Sequence, residues 1–284
     1  MEYNDYCYYV DSIAKHIHSP LNKDKQKIKV LSFAGFGETL LHPRLADMVA
    51  YAKKACIAEA IRIITNASLL THEMSDKLID AGIDELKISI QGIDAEDYKR
   101  VCGYDIDFQD FIKNIAYFYE KRNTCRVFVK IADTALISRG DAVEEEKAAK
   151  RFEEIFSPIA DTANIEHIIP NNAIPYSDNG VIGSLANSSV CNNVFRLVKL
   201  QIDGEMYPCI RYDNNGHAVE SIGNLKEKPF GDLWNKGKHR QLCKNALNHQ
   251  MTGLCANCRF FNFISTPKDV LDGHEDEILT RLSC

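Results

Sequence analysis

Four cysteines near the C-terminal end, Cys191, Cys209, Cys255 and Cys258, have the residue type and spacing for metal chemistry. Cys255 and Cys258 form a tight C-x2-C knuckle. Cys191 and Cys209 bracket a segment with Asp203-Gly204 inside it, a pair that turns a chain back on itself. The alternation over residues 196–202 predicts the incoming strand of that hairpin. Four thiolates make a soft tetrahedral sulfur site, suited to zinc or to an iron–sulfur cluster. A zinc ribbon normally brings two knuckles, and here one pair alone is so spaced. Cys7, Cys56, Cys102, Cys125, Cys243 and Cys284 lack ligand spacing and read as small buried or surface residues.

A second set of candidates punctuates the N-terminal half. Gly35-Phe36-Gly37-Glu38 follows a short β-rich run at 27–33. Its glycines let the backbone approach a ligand, and its carboxylate suits an ammonium. Taken alone, such a motif is usually a turn. Thr65-Asn66-Ala67-Ser68 closes the next predicted strand, and Ser89-Ile90-Gln91-Gly92 the one after. Polar residues also interrupt the strands themselves. Lys87, Ser89 and Gln91 alternate with Leu86, Ile88 and Ile90; Lys130 sits between Val129 and Ile131; Glu166 and His167 break the last strand. Buried parallel strands normally read as continuous apolar runs, so this pattern predicts a polar barrel lumen, which is a ligand site. Lys130, Glu166 and His167 are the candidate catalytic residues there. A structural ion pair or a solvated strand end is the competing reading for each.

The elements that position these residues alternate. Helices are predicted at 3–18, 43–56, 73–81, 107–121 and 142–156, and strands at 27–33, 60–64, 85–91, 126–132 and 164–169. In the first helix Tyr6, Tyr9, Val10, Ile13 and Ile17 share one face. Strands alternating with helices give a parallel sheet with right-handed crossovers, an α/β fold. The polar stretch 171–189 reads as a linker into the cysteine domain.

Composition narrows the function. At 284 residues, 45% hydrophobic and 26% charged, the chain suits one large α/β domain with a small appendage. A net charge of −6 without a basic block argues against nucleic-acid binding. No apolar run approaches a membrane span, and no signal-peptide pattern opens the sequence. Ten cysteines without a secretory signal point to a reducing cytoplasm and metal binding.

The ordered motifs resemble the radical S-adenosylmethionine (AdoMet) superfamily, and the cysteine pattern, with Gly204 five residues before Cys209, resembles its C-terminal SPASM/twitch domain. The resemblance implies a partial (βα)6 TIM-like barrel at 1–172, a linker at 173–190 and the SPASM/twitch domain at 191–284. It implies that Gly35, Gly37, Glu38, Thr65, Asn66, Ser89 and Gln91 bind AdoMet, and that the four cysteines hold one auxiliary 4Fe–4S cluster, the single-cluster form. It implies hydrogen-atom abstraction from a small-molecule or peptide substrate, with flavodoxin or ferredoxin as electron donor. Thr39 stands where the family usually has proline, and Ala67 where it has glycine. The family's C-x3-C-x2-C is absent, so the chain is expected to open inside the fold, without its first strand. The alternatives are a non-catalytic iron–sulfur or zinc-binding relative that binds a substrate or partner, and a Schiff-base lyase using Lys130 or Lys87. The latter leaves the four cysteines unexplained.

Overall fold

A computed structural model describes residues 1–20, 22, 26–137, 142–166, 189–210, 219–256, 258 and 270–283. The chain falls into two compact units, Ile17–Ile168 and Met1–His16 with Ile169–Cys284. The first helix therefore groups with the C-terminal unit, whereas the expected boundary at 172 placed it with the barrel.

The elements begin with α1 (Tyr3–Ile17), β1 (Ile28–Phe33), α2 (Leu45–Ala55), β2 (Ala58–Thr65), α3 (His72–Asp80), β3 (Glu85–Ile90), α4 (Ala95–Cys102) and α5 (Phe108–Lys121). They continue with β4 (Arg126–Ala132), α6 (Asp133–Ile137), α7 (Ala142–Phe156) and β5 (Thr162–Glu166). The five strands are parallel and lie in the order β1-β2-β3-β4-β5. This is the α/β fold with a parallel sheet that the strand–helix alternation predicted, here of five strands. The expected last strand starts two residues earlier, at Thr162, and its portion beyond Glu166 lies outside the described residues, as do most of the linker and His167.

The side-chain alternation of the strands separates two faces. Ile61, Ile63, Leu86, Ile88, Ile90, Val127, Val129 and Ile131 are all buried on the outer one. Leu45, Met48, Val49 and Ala52 of α2, Phe111, Ile115 and Phe118 of α5, and Phe152 and Phe156 of α7 supply the apolar helix stripes. Each such side chain stabilises the fold by about 1.5–3 kcal/mol on burial. The inner face carries the polar set, which runs from buried Glu85 through half-buried Arg62, Lys87 and Lys130 to exposed Arg126.

Aspartates fix where strands begin and helices start. Asp84 accepts from the Ile61 amide at 2.7 Å and pairs with Lys53. Asp161 accepts from the Val127 amide at 2.7 Å and pairs with Arg122. Asp94 caps α4 through the Asp97 amide, and Asp107 caps α5 through the Asp110 amide. α4, which the periodicity missed, turns back tightly onto the end of β3. Buried Asp97 accepts from the Ile93 amide and pairs with Arg100.

The C-terminal unit adds α8 (Asn193–Arg196), β6 (Lys199–Leu200), β7 (Glu205–Tyr207), β8 (Gly223–Asn224), α9 (Phe230–Asn235), α10 (Gly237–Leu247) and α11 (Glu275–Ser283). β6, β7 and β8 form an antiparallel sheet, so the hairpin is present, with its turn at 201–204. The predicted strand over 196–202 is corrected: Arg196 ends a helical turn, and only Lys199 and Leu200 pair. α1 buries Tyr6, Tyr9, Val10 and Ile13, and joins this unit through Phe230 N donating to Ser12 Oγ and Lys226 pairing with Asp5.

Gly92 is the last residue of the Ser89-Ile90-Gln91-Gly92 motif, two residues past the end of β3. A Cβ there would lie 2.2 Å from Asp97 Cβ, so the turn onto α4 requires glycine. Gly92→Ala is expected to destabilise the protein by about 1–3 kcal/mol, the usual cost of overpacking, read as a lower urea midpoint with unchanged slope. A midpoint equal to wild type would refute the close approach.

Candidate functional site

The loop after β1 and the ends of β2 and β3 meet at the C-terminal edge of the sheet. There Glu38 is the common acceptor. Its Oε1 accepts from Leu40 N at 2.9 Å and from Thr65 Oγ1, and its Oε2 accepts from Asn66 N at 2.8 Å. One carboxylate thus ties the glycine loop to the Thr65-Asn66 turn. Gly37 has φ 108°, and a Cβ on Gly35 or Gly37 would meet nothing within 4 Å, so Gly37 serves the backbone path and leaves the space above the loop open. Thr39 donates its hydroxyl to Ile64 O at 2.8 Å. Ala67 adopts φ 60°, the left-handed region, and its amide donates to Thr65 Oγ1. Asn66 accepts from Ser68 N in a local turn. The Gln91 amide lies 3.4 Å from the buried Tyr98 hydroxyl. Ser89 stands in register with Lys130. The structure therefore gathers Gly35, Gly37, Glu38, Thr65 and Asn66, and sets Ser89 and Gln91 at the end of the neighbouring strand.

On the inner face Lys130 donates to Glu166, so two of the three catalytic candidates form an ion pair across β4 and β5. His167 lies outside the described residues. A larger network escaped the sequence. Glu85, 2% exposed, sits between Arg62, which pairs with it at 2.5 Å, and Arg126. The signal was present in β2, where Arg62 interrupts Ile61 and Ile63 as Lys130 interrupts β4. Lys87 lies one residue pair further along β3, and burial together with the Lys130 charge pulls its pKa down.

The four cysteines all fall in the C-terminal unit, and each is partly buried. Cys191 packs against a core of Val190, Val194, Cys243, Ala246 and Leu247. Burial pushes its thiol up to about 11, and the charges of Cys209 and Cys258 add to the shift. Cys258 N donates to Cys255 O at 3.3 Å, so the knuckle is a closed turn. Among the described residues no group of three or more His, Cys, Asp or Glu side chains is arranged to hold a single metal ion. The donor set is nonetheless four thiols that gather in one unit, and its chemistry fits a sulfur-bound cluster. The other cysteines differ. Burial pushes Cys125 and Cys243 up to about 12, and Cys56 accepts a hydrogen bond from Lys27 at the surface.

Comparison with known proteins identifies the class. Residues 10–151, half of the chain, match the Radical SAM superfamily, and residues 191–259 match SPASM, the iron–sulfur cluster-binding domain. The chain belongs to the radical SAM superfamily of enzymes and carries a SPASM domain, and these two domains imply 4Fe–4S clusters and AdoMet as cofactors. The SPASM match begins at Cys191 and ends one residue past Cys258. Among particular proteins, the chain is 22% identical over 267 residues to the tungsten-containing aldehyde ferredoxin oxidoreductase cofactor-modifying protein of Pyrococcus furiosus, covering 78% of this chain and 72% of that one. It is 23% identical over 236 residues to a probable GTP 3',8-cyclase of Methanococcus maripaludis, covering 72% and 75%. Its fold matches native anSMEcpe with bound AdoMet at a TM-score of 0.55 and 13% identity, covering 97% of this chain and 89% of that one. It also matches BtrN in complex with AdoMet and 2-DOIA at 0.50 and 17%, covering 91% and 80%. No described helix is long and apolar enough to cross a membrane.

Removing the Glu85 carboxylate leaves two guanidiniums facing each other. Glu85→Ala is expected to lower stability by about 2–4 kcal/mol, discounted from the cost of a broken buried pair because both arginines are partly solvated. Chemical denaturation measures this, and loss of the acid without a shift in midpoint would show the network to be idle.

Proposed function

We propose that the protein is a SPASM-type radical SAM enzyme that acts by hydrogen-atom abstraction on a small-molecule or peptide substrate. Cys191, Cys209, Cys255 and Cys258 hold one auxiliary 4Fe–4S cluster, and Gly35, Gly37, Glu38, Thr65, Asn66, Ser89 and Gln91 bind AdoMet. The observation that carries this reading is the Glu38 carboxylate, fixed by three donors at the C-terminal ends of adjacent parallel strands. Chemistry in parallel barrels sits at that edge. A carboxylate can accept about four hydrogen bonds, so three internal donors leave Glu38 capacity for a ligand ammonium. The open space above Gly37 gives that ligand room.

In this family the cofactors supply a 5′-deoxyadenosyl radical from AdoMet and a one-electron site at the auxiliary cluster. This chain's own residues bind and orient. Glu38 and the glycine loop would take the charged end of AdoMet, Ser89 and Gln91 its flank, and Lys130 and Glu166 would face the substrate as a positioned ion pair. His167 joins them on the sequence pattern alone. A flavodoxin or ferredoxin electron donor and a cytoplasmic setting belong to the same proposal. The relatives include a cofactor-modifying protein and a GTP cyclase, and a fold neighbour holds a peptide, which supports keeping both substrate classes.

Anaerobic reconstitution is expected to give one 4Fe–4S cluster by iron, sulfide and Mössbauer analysis. Cys255→Ala or Cys258→Ala abolishes it, and Cys56→Ala leaves it intact. Stoichiometric zinc without sulfide would overturn the assignment in favour of a zinc-binding relative.

The 284 residues contain no C-x3-C-x2-C. This chain by itself is therefore expected to bind AdoMet without reductive cleavage, and Glu38→Ala to weaken that binding about tenfold, the equivalent of ~1.4 kcal/mol. Calorimetry reads the binding, and chromatography of 5′-deoxyadenosine after dithionite reads the cleavage. Unchanged affinity in the Glu38 variant would sink the AdoMet site. Turnover above a protein-free control would show that the activating cluster does not need that motif.

A further inference from the structure

The parallel register puts alternate residues of the central strands on one inner face. Arg62, Glu85 and Arg126 stand opposite one another in one row, Ile64, Lys87, Phe128 and Thr162 in the next, Ser89, Lys130 and Asn164 in a third, and Ala132 with Glu166 in the last. Four cations thus share this face with two carboxylates. Glu85 is consumed by Arg62 and Arg126, and Glu166 by Lys130. Lys87 lies between these two networks and makes no hydrogen bond or ion pair with any described residue. It is partly buried, and the charges that reach it are those of Lys130, Glu166, Arg62 and Glu85.

We propose that this face is an oxyanion receptor, in which Lys87 takes a phosphate or carboxylate group of the substrate between Arg62 and Lys130. The inference rests on the reading of the inner face as the substrate chamber, and it narrows the substrate to an anion. A half-buried ammonium with cations on two sides and no counter-charge of its own among the described residues is costly unless a ligand supplies one. The two carboxylates already present do not serve, because each is held by another cation. Arg62 keeps donors beyond those given to Glu85, since a guanidinium carries five. Burial and the neighbouring cations lower the Lys87 pKa, and a bound anion opposes both effects. Only protonated Lys87 serves as the anchor, so affinity for the anion falls as pH rises through the lowered Lys87 pKa. Lys130, Glu166, Arg62 and Glu85 are the charged groups that face it through that range.

The test is calorimetric titration of the full chain with pyrophosphate and, separately, with succinate, at fixed ionic strength. Saturable 1:1 binding of either probe is expected, and the probe that binds names the group. Lys87→Gln should weaken it at least about tenfold, Lys87→Arg should restore most of it, and Lys121→Gln, on the far surface of α5, should change nothing. Saturable binding that Lys87→Gln leaves intact overturns the proposal, as does equal loss in the Lys87 and Lys121 variants, which marks general charge screening. Absence of binding by both probes overturns it too. Should Lys87→Gln fail to fold, wild-type protein with 13C-methylated lysines decides. The Lys87 signal, assigned by its absence in Lys87→Arg, must move on adding the probe, and a signal that stays overturns the proposal. Neither readout needs a cluster or AdoMet. Failed cluster loading with intact anion binding would count against the enzyme reading alone, and the reverse result against the receptor alone.

Discussion

A carboxylate buried on the inner face of a parallel sheet must be matched where it stands, because water does not reach it and the strands cannot move apart. Glu85 is 2% exposed, and guanidiniums from β2 and β4 close on it from both sides. The same pairing locks register. A shift of β3 by one residue would send Glu85 outward among the isoleucines and bring Leu86 against two arginines. The outer apolar rows and the inner ionic row are therefore two statements of one register. The helices that cover the outer rows depend on it as much as the candidate site does.

Register then carries consequence to the strand ends. Once β1 and β2 are paired as they are, the loop after Phe33 and the turn after Thr65 emerge side by side, and a single carboxylate spans them. Glu38 acts locally as the cap of a short helical turn at Thr39–Leu41, and non-locally as the clamp on the next strand's turn. A group that only capped a turn would need one donor. Three donors from two strand ends hold the carboxylate in one orientation before any ligand arrives, which is the condition for a binding group to lose little entropy on use.

Much of this was legible in the sequence, and the limits are physical. Strands and long helices announced themselves through periods of two and 3.6, so β4 and α7 fall at 126–132 and 142–156 as read. α4 did not, since a helix of eight residues capped by Asp94 and rich in charge offers too few apolar positions to show a stripe. Alternation over 196–202 misled because a single helical turn and a two-residue strand both fit inside it. Polar strand positions were visible singly, but their partners were not. Lys130 and Glu166 are thirty-six residues apart, and Arg126 and Glu85 forty-one, so pairing is a property of the sheet and not of either segment. The cysteines were the opposite case, for a knuckle and a turn-bracketed pair carry their chemistry in spacing.

The two departures from the family's loop pattern illustrate how such a site tolerates change. Proline after the glutamate would stiffen the loop by fixing φ, but it has nothing to donate. Thr39 fastens the loop by another route, through a hydroxyl bond to Ile64 O, the carbonyl just before Thr65. Glycine in the turn after β2 would adopt the left-handed region freely, whereas alanine there costs about 1–2 kcal/mol. Ala67 holds φ 60° while its amide is bonded to Thr65 Oγ1 and its methyl group is buried. Thr65 receives that amide and in turn donates to Glu38, so the strained residue is held by the same chain of bonds that fixes the carboxylate. The backbone strain at Ala67 is thus offset inside the network that it helps to shape, and the conformation survives without the residue that would adopt it most easily.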